Sequence, residues 1–170
     1  MSAVDEIVYL LDQAFSGEGI QETNESQSLL ANLSSVDDSM WSTSPPRGAR
    51  TIESIALHVG GCKIMYDDYA FGSGKLSWGE VEVQPWPLGE APMSETIAWL
   101  TRVHGRLVDH IGQLDDADLS SSRRTNWGER AQTRWLISML LQHDTYHAGE
   151  ANHVRSLLAR DDEWKWADDD

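Results

Sequence analysis

Cysteine is nearly absent. Cys62 is the only one in 170 residues, so no disulfide can close within the chain and there is no CxxC metal or redox pair. Positive charge is scarce as well, with 13 Lys and Arg against 28 Asp and Glu for a formal net charge of -15. A surface that acidic repels phosphate backbones and anionic lipids, which argues against nucleic acid and membranes as partners. No apolar run approaches the length of a membrane span, and Asp5 and Glu6 stand where a signal peptide wants positive charge, so a cytoplasmic location is expected. Internal repeats and low-complexity tracts are missing too. Phenylalanine occurs only twice while tryptophan occurs eight times. That imbalance suits either a Trp-rich core or a pocket or interface lined by large amphipathic rings.

What is present is the composition of a globular chain, 40% hydrophobic and 24% charged. The length predicts one domain over residues 1–160, with an acidic tail over 161–170. Helical apolar spacing begins at Val4, Ile7, Val8, Leu11 and Phe15. We read helix 1 from Ala3 to Leu33, interrupted at the Gly17-Glu18-Gly19 breaker, and a loop from Ser34 to Arg50 around Pro45-Pro46. Thr51 caps helix 2, which carries Glu53 in its first turn and stops after Phe71 at Gly72-Ser73-Gly74. Lys75 to Gly89 is an irregular crossover in which Val81-Glu82-Val83 alternates like a short strand. Helix 3 runs from a Ser94 cap to Leu114. A loop follows over Asp118 to Gly128, and helix 4 covers Ala131 to Ala159. Four long helices with one long irregular crossover between helices 2 and 3 predict an all-α fold, a four-helix bundle.

Helical phase at 100° per residue sorts the six histidines. His58 falls inward among Ile55, Val59, Cys62, Met65, Tyr66 and Tyr69. His143 and His147 share the face of Leu136, Met139, Leu140, Glu150, Ala151, Val154 and Leu158. His104 falls inward beside Ile97, Leu100, Leu107 and Ile111, where donation to a backbone carbonyl or a hydroxyl is the expected role. His110 and His153 fall outside these faces.

His143 and His147 are one helical turn apart, about 6 Å along the axis. An i, i+4 pair of imidazoles can close on a single metal ion, as in the helical HExxH zinc motif. His58 completes a set of three nitrogens. Three neutral protein ligands leave coordination positions open, the mark of a catalytic rather than a structural site, and the chemistry expected there is activation of water or a thiol. Glu150, three residues after His147, has four readings: a partner that orients an imidazole, a general base, a fourth ligand, or a rim carboxylate paired with Arg155 or water. Cys62, one turn after His58, is read as a small buried hydrophobe that could reach the metal. Tyr66, Tyr69 and Tyr146 could bring hydroxyls near the pocket.

The inward His in Thr51-Ile52-Glu53-Ser54-Ile55-Ala56-Leu57-His58-Val59, the irregular crossover, and His143-x-x-x-His147-Ala148-Gly149-Glu150 together resemble the DinB/YfiT-like family over about Val4 to Leu158. Asn126-Trp127-Gly128-Glu129 and Ala14-Phe15-Ser16-Gly17 are further echoes. The resemblance implies a mononuclear divalent metal (nickel, zinc or iron) held by three histidines, which map to His58, His143 and His147. It also implies the activities of relatives, transferases that use a low-molecular-weight thiol such as bacillithiol, mycothiol or glutathione and a thiol-dependent maleylpyruvate isomerase, with small-molecule thiols or electrophiles as partners and a homodimeric state. Two departures stand out. Many relatives have Gln where this chain has Glu150, and the Trp-His pair of several members is replaced by Gly19-Ile20-Gln21-Glu22-Thr23-Asn24-Glu25. The competing expectations are a non-catalytic, stress-associated metal-binding bundle and a dimerising module that uses its tryptophans.

Overall fold

The computed structural model describes residues 2–17, 28–46, 50–82 and 91–161. Ser2 opens the first helix with a reciprocal cap. Its hydroxyl accepts the Asp5 N–H at 3.0 Å while the Asp5 carboxylate accepts the Ser2 N–H at 2.8 Å. Helix α1 covers Ala3–Phe15 and a second short helix, α2, covers Leu29–Ser34. Helix 1 of the sequence reading is therefore two helices, and residues 18–27 between them lie outside the described residues. The expected loop from Ser34 to Arg50 contains one more helical turn, α3 (Asp38–Trp41), started by the Asp37 carboxylate on the Ser39 N–H.

Helix α4 (Ile52–Phe71) begins and ends where the sequence predicts, with Thr51 Oγ1 accepting from Ser54 N at 3.1 Å. It is followed by α5 (Trp78–Glu82). Val81 and Glu82 are thus helical rather than extended, because Ser77 and Glu80 form a local start signal: the Glu80 carboxylate accepts both the N–H and the hydroxyl of Ser77 at 2.7 Å. Val83, the end of the proposed strand, is outside the described residues. Helix α6 (Met93–Gly112) starts at Pro92 without a side-chain cap, so Ser94 is not its N-cap. Proline supplies the fixed φ from which the helix can begin. After a 3-10 turn at Asp118–Ser120, the expected loop instead pairs β1 (Ser122–Arg124) with β2 (Arg130–Gln132) as an antiparallel hairpin, and Gly128 takes the positive φ (91°) its turn requires. Helix α7 (Thr133–Ala159) therefore starts two residues later than its periodicity suggests.

α1, α4, α6 and α7 form a four-helix bundle in which α1 packs on α6 and α7, and α4 packs on the same two neighbours. Two apolar clusters fill it. One gathers Phe15, Val59, Leu100, Val103, Ala148 and Val154; the other gathers Val4, Leu11, Leu107, Ile111, Ile137 and Leu140. Chain order through these clusters shows that α4 and α6 run in the same direction, opposite to α1 and α7. Parallel neighbours cannot be joined by a tight turn, which accounts for the long crossover between them. α4 and α6 also approach closely: a Cβ on Gly60 would lie 2.3 Å from the Trp99 ring.

Candidate metal centre

His58 projects from the second turn of α4, and His143 and His147 from the middle of α7. The two helices face each other in the bundle, so the three rings meet. The ring centroids of His143 and His147 are 4.4 Å apart, and that of His58 lies 5.3 Å from His143 and 4.9 Å from His147. One nitrogen from each ring can be chosen so that all three lie within 4.8 Å of one another. His143 Nε2 and His147 Nε2 are 3.2 Å apart. Metal–nitrogen bonds of about 2.0–2.1 Å place two nitrogens on one ion roughly 3.0–3.4 Å apart. The α7 pair already has that spacing. His147 is buried, while His58 and His143 are partly exposed, so one side of the cluster remains open.

The protonation states suit a cation. His147 Nδ1–H donates to Glu150 Oε2 at 2.6 Å, which leaves the Nε2 lone pair facing the other two rings. Burial pushes His143 down to about 3, with the neighbouring His147 and His58 adding to the effect. Burial also lowers His58, followed by the positive charge of Arg50, while Glu150 acts the other way. Imidazoles held neutral are the form that binds metals.

Glu150 is thus a partner of His147, not of Arg155, which binds Asn152 and Asp161 instead. Cys62 Sγ touches the His58 ring at 3.7 Å from Nε2 but does not belong to the three-nitrogen group. It is buried, and that burial raises its thiol to about 11. Tyr146 sets its ring 5.0 Å from His147, whereas Tyr66 packs on Trp127. The tryptophans divide between roles: Trp41 and Trp99 are buried, while Trp127 and Trp135 border an open cleft of about 360 Å³ whose lining includes none of the three histidines.

Sequence reading missed a buried polar group beside this centre. Lys63 Nζ donates to Asp144 Oδ2 at 2.6 Å, and neither side chain reaches solvent. Lys63 also donates to His104 Nδ1 at 3.2 Å, and His104 Nε2–H donates to Asp12 Oδ1 at 3.0 Å. His104 therefore binds side chains, not the backbone carbonyl or hydroxyl expected of it. Burial, helped by the Lys63 ammonium, holds it at about 2, so its contact with Asp12 is a hydrogen bond from a neutral ring and not an ion pair. A signal for Lys63 and Asp144 was available. Ile52, Ala56, Val59 and Lys63 form a second stripe on α4, and Ile137, Leu140, Asp144 and Ala148 form one on α7. A charged residue within an apolar stripe marks a buried pair.

The sequence profile of the DinB superfamily matches residues 21–151. No curated protein matches the chain. No helix among the described residues is long and apolar enough to cross a membrane.

Proposed function

The chain belongs to the DinB superfamily, and from that premise we propose that it is a metal-dependent enzyme whose His58, His143 and His147 hold one divalent ion, nickel, zinc or iron. The remaining positions of the ion would take a low-molecular-weight thiol, for an S-transferase, or water, for a hydrolase. The observation that carries this reading is the 3.2 Å approach of the two Nε2 atoms on α7, with the His58 ring against both. Two imidazole nitrogens that face each other at this distance in a half-buried site need a proton or a cation between them. When bound, the ion supplies Lewis acidity, which lowers the pKa of a thiol or water held against it.

The residues around the cluster support that chemistry. Glu150 orients His147 through Nδ1, and its side chain, 30% exposed, can accept a proton and pass it to solvent. Arg50 is exposed at the start of α4, and its charge acts on His58, His143 and Cys62 together. A cation at the open side favours an anionic thiol or electrophile. Cys62 is buried, and in the metal-free protein that burial raises its thiol to about 11, so the reacting thiol in this reading comes from solution.

A second reading rests on the placement of the ligands. They come from both α4 and α7, so an ion would cross-link two helices and stiffen the fold without turnover. Elemental analysis of protein purified without added metal tests the centre, with about one ion per chain expected. Metal content and melting temperature both unchanged in His147→Ala would overturn it. A panel of thiols against a reactive electrophile then separates the enzyme from the stiffened scaffold.

A further inference from the structure

One residue from each of the four bundle helices enters this polar group: Lys63 from α4, His104 from α6 and Asp144 from α7 are buried, and Asp12 from α1 closes it at the surface with its side chain 45% exposed. These residues form a layer. On α1, Leu11 and Phe15 flank Asp12 and belong to different apolar clusters; on α6, Val103 and Leu107 flank His104 in the same way; on α7, Leu140 and Ala148 flank Asp144. The layer is the boundary between the two halves of the core, and it adjoins the three histidines. Lys63 follows His58 by five residues, about 7.5 Å along α4, and Asp144 lies between His143 and His147 in sequence.

Such a layer is poorly explained as a source of stability. Removing a lysine and an aspartate fully from water costs roughly what their attraction returns, and apolar replacements of such pairs are often neutral or stabilising. Asp144 Oδ1 is moreover buried with no hydrogen-bond partner among the described residues, a further cost. What a directional contact supplies and apolar packing lacks is register. Sliding α7 by one turn, about 5.4 Å, would still leave apolar residues against apolar residues, but it would strand Lys63 and Asp144 without each other. The same slide would part His143 and His147 from His58.

We propose that the Asp12–His104–Lys63–Asp144 layer is the positioning device of the three-histidine centre, setting α7 against α4 at the register that brings His58 to His143 and His147. Its link to metal binding rests on the reading under "Proposed function"; the positional claim does not.

The test uses the full chain carrying K63M/D144L, which removes both charges together. Melting of the metal-free protein is expected at the wild-type temperature or above. Cobalt(II) affinity is expected to fall roughly 10- to 100-fold, the range for losing a residue that orients metal ligands, and the visible cobalt bands at saturating metal are expected to shift. A variant that folds like the wild type and binds cobalt with unchanged affinity and bands overturns the proposal, as does a loss of affinity that only tracks a lowered melting temperature. Should K63M/D144L fail to fold, K63Q/D144N carries the same readouts, with a smaller loss expected because a neutral contact can partly replace the ion pair. If the wild type itself takes up no divalent ion, the metal reading fails, and a crystal structure of the folded variant decides the positional claim. The His143–His147 contact should persist there while the 4.9 and 5.3 Å separations from His58 change; unchanged separations overturn it.

Discussion

Glu150 Oε2 lies 2.6 Å from His147 Nδ1, one turn along the same face of α7. That single contact decides the tautomer of His147 and turns its other nitrogen toward His143 and His58. Replacing Glu150 with Ala should leave the fold intact, because the side chain sits at the rim, and should weaken metal binding by roughly 10- to 100-fold. Glu150→Gln keeps an acceptor for the Nδ1–H but no basic carboxylate. It should retain more metal than Glu150→Ala while losing most of any thiol-transfer or hydrolytic rate. Metal titration and turnover measured on both variants separate the two roles.

Chelation should destabilise the wild type measurably. A ligand that binds only the folded state at a hundred times its Kd adds about 2.7 kcal/mol. Protein stripped with a chelator should therefore melt several degrees lower and recover when a divalent ion is restored. His143→Ala and His147→Ala should melt at one temperature with or without the ion.

Acid should destabilise the metal-free protein through His104. Its folded value, about 2, lies below the ordinary histidine value of 6.5, with burial as the main cause. Between those values the unfolded chain takes up a proton that the folded chain refuses, so stability is complete above pH 6.5 and is lost as pH falls below it. The slope from this one group approaches about 1.4 kcal/mol per pH unit. His143, held at about 3 by burial, acts in the same direction. Denaturant midpoints measured from pH 7.5 to 5 should show this slope, and His104→Gln should flatten it.

Gly60 and Gly105 should respond oppositely to alanine. A Cβ at Gly60 would strike the Trp99 ring at 2.3 Å, whereas one at Gly105 would meet nothing within 4 Å on an exposed part of α6. Gly60→Ala should cost about 1–3 kcal/mol through overpacking of the α4–α6 contact. Gly105→Ala should add roughly 0.5–1 kcal/mol by reducing the freedom of the unfolded chain. Thermal or denaturant unfolding of the two variants is the check.

The three histidines could be found without coordinates because their signal is local. His143 and His147 share an apolar stripe at helical spacing, and His58 sits in another stripe with Val59 and Cys62 around it. The ends of α4 were equally plain, since Thr51 and Gly72 act on their own turns. The hairpin was not. Ser122-Arg123-Arg124 has no alternation of its own, and it is extended only because Arg130–Gln132 lies opposite it. The partners of Lys63 and His104 were hidden for the same reason, as 81 residues separate Lys63 from Asp144 and 92 separate His104 from Asp12.

The amino-acid order by itself determined the long helices α4, α6 and α7, their apolar faces and which side chains can bind a metal, because each depends on neighbours within a turn or two. Only the tertiary structure decided that α4 runs parallel to α6, that the rings of His58, His143 and His147 meet, and that Glu150 serves His147 rather than Arg155. It also decided that a lysine and an aspartate lie out of water in the core. A charged group is buried only where its counterion is already waiting, and that depends on how separate helices pack.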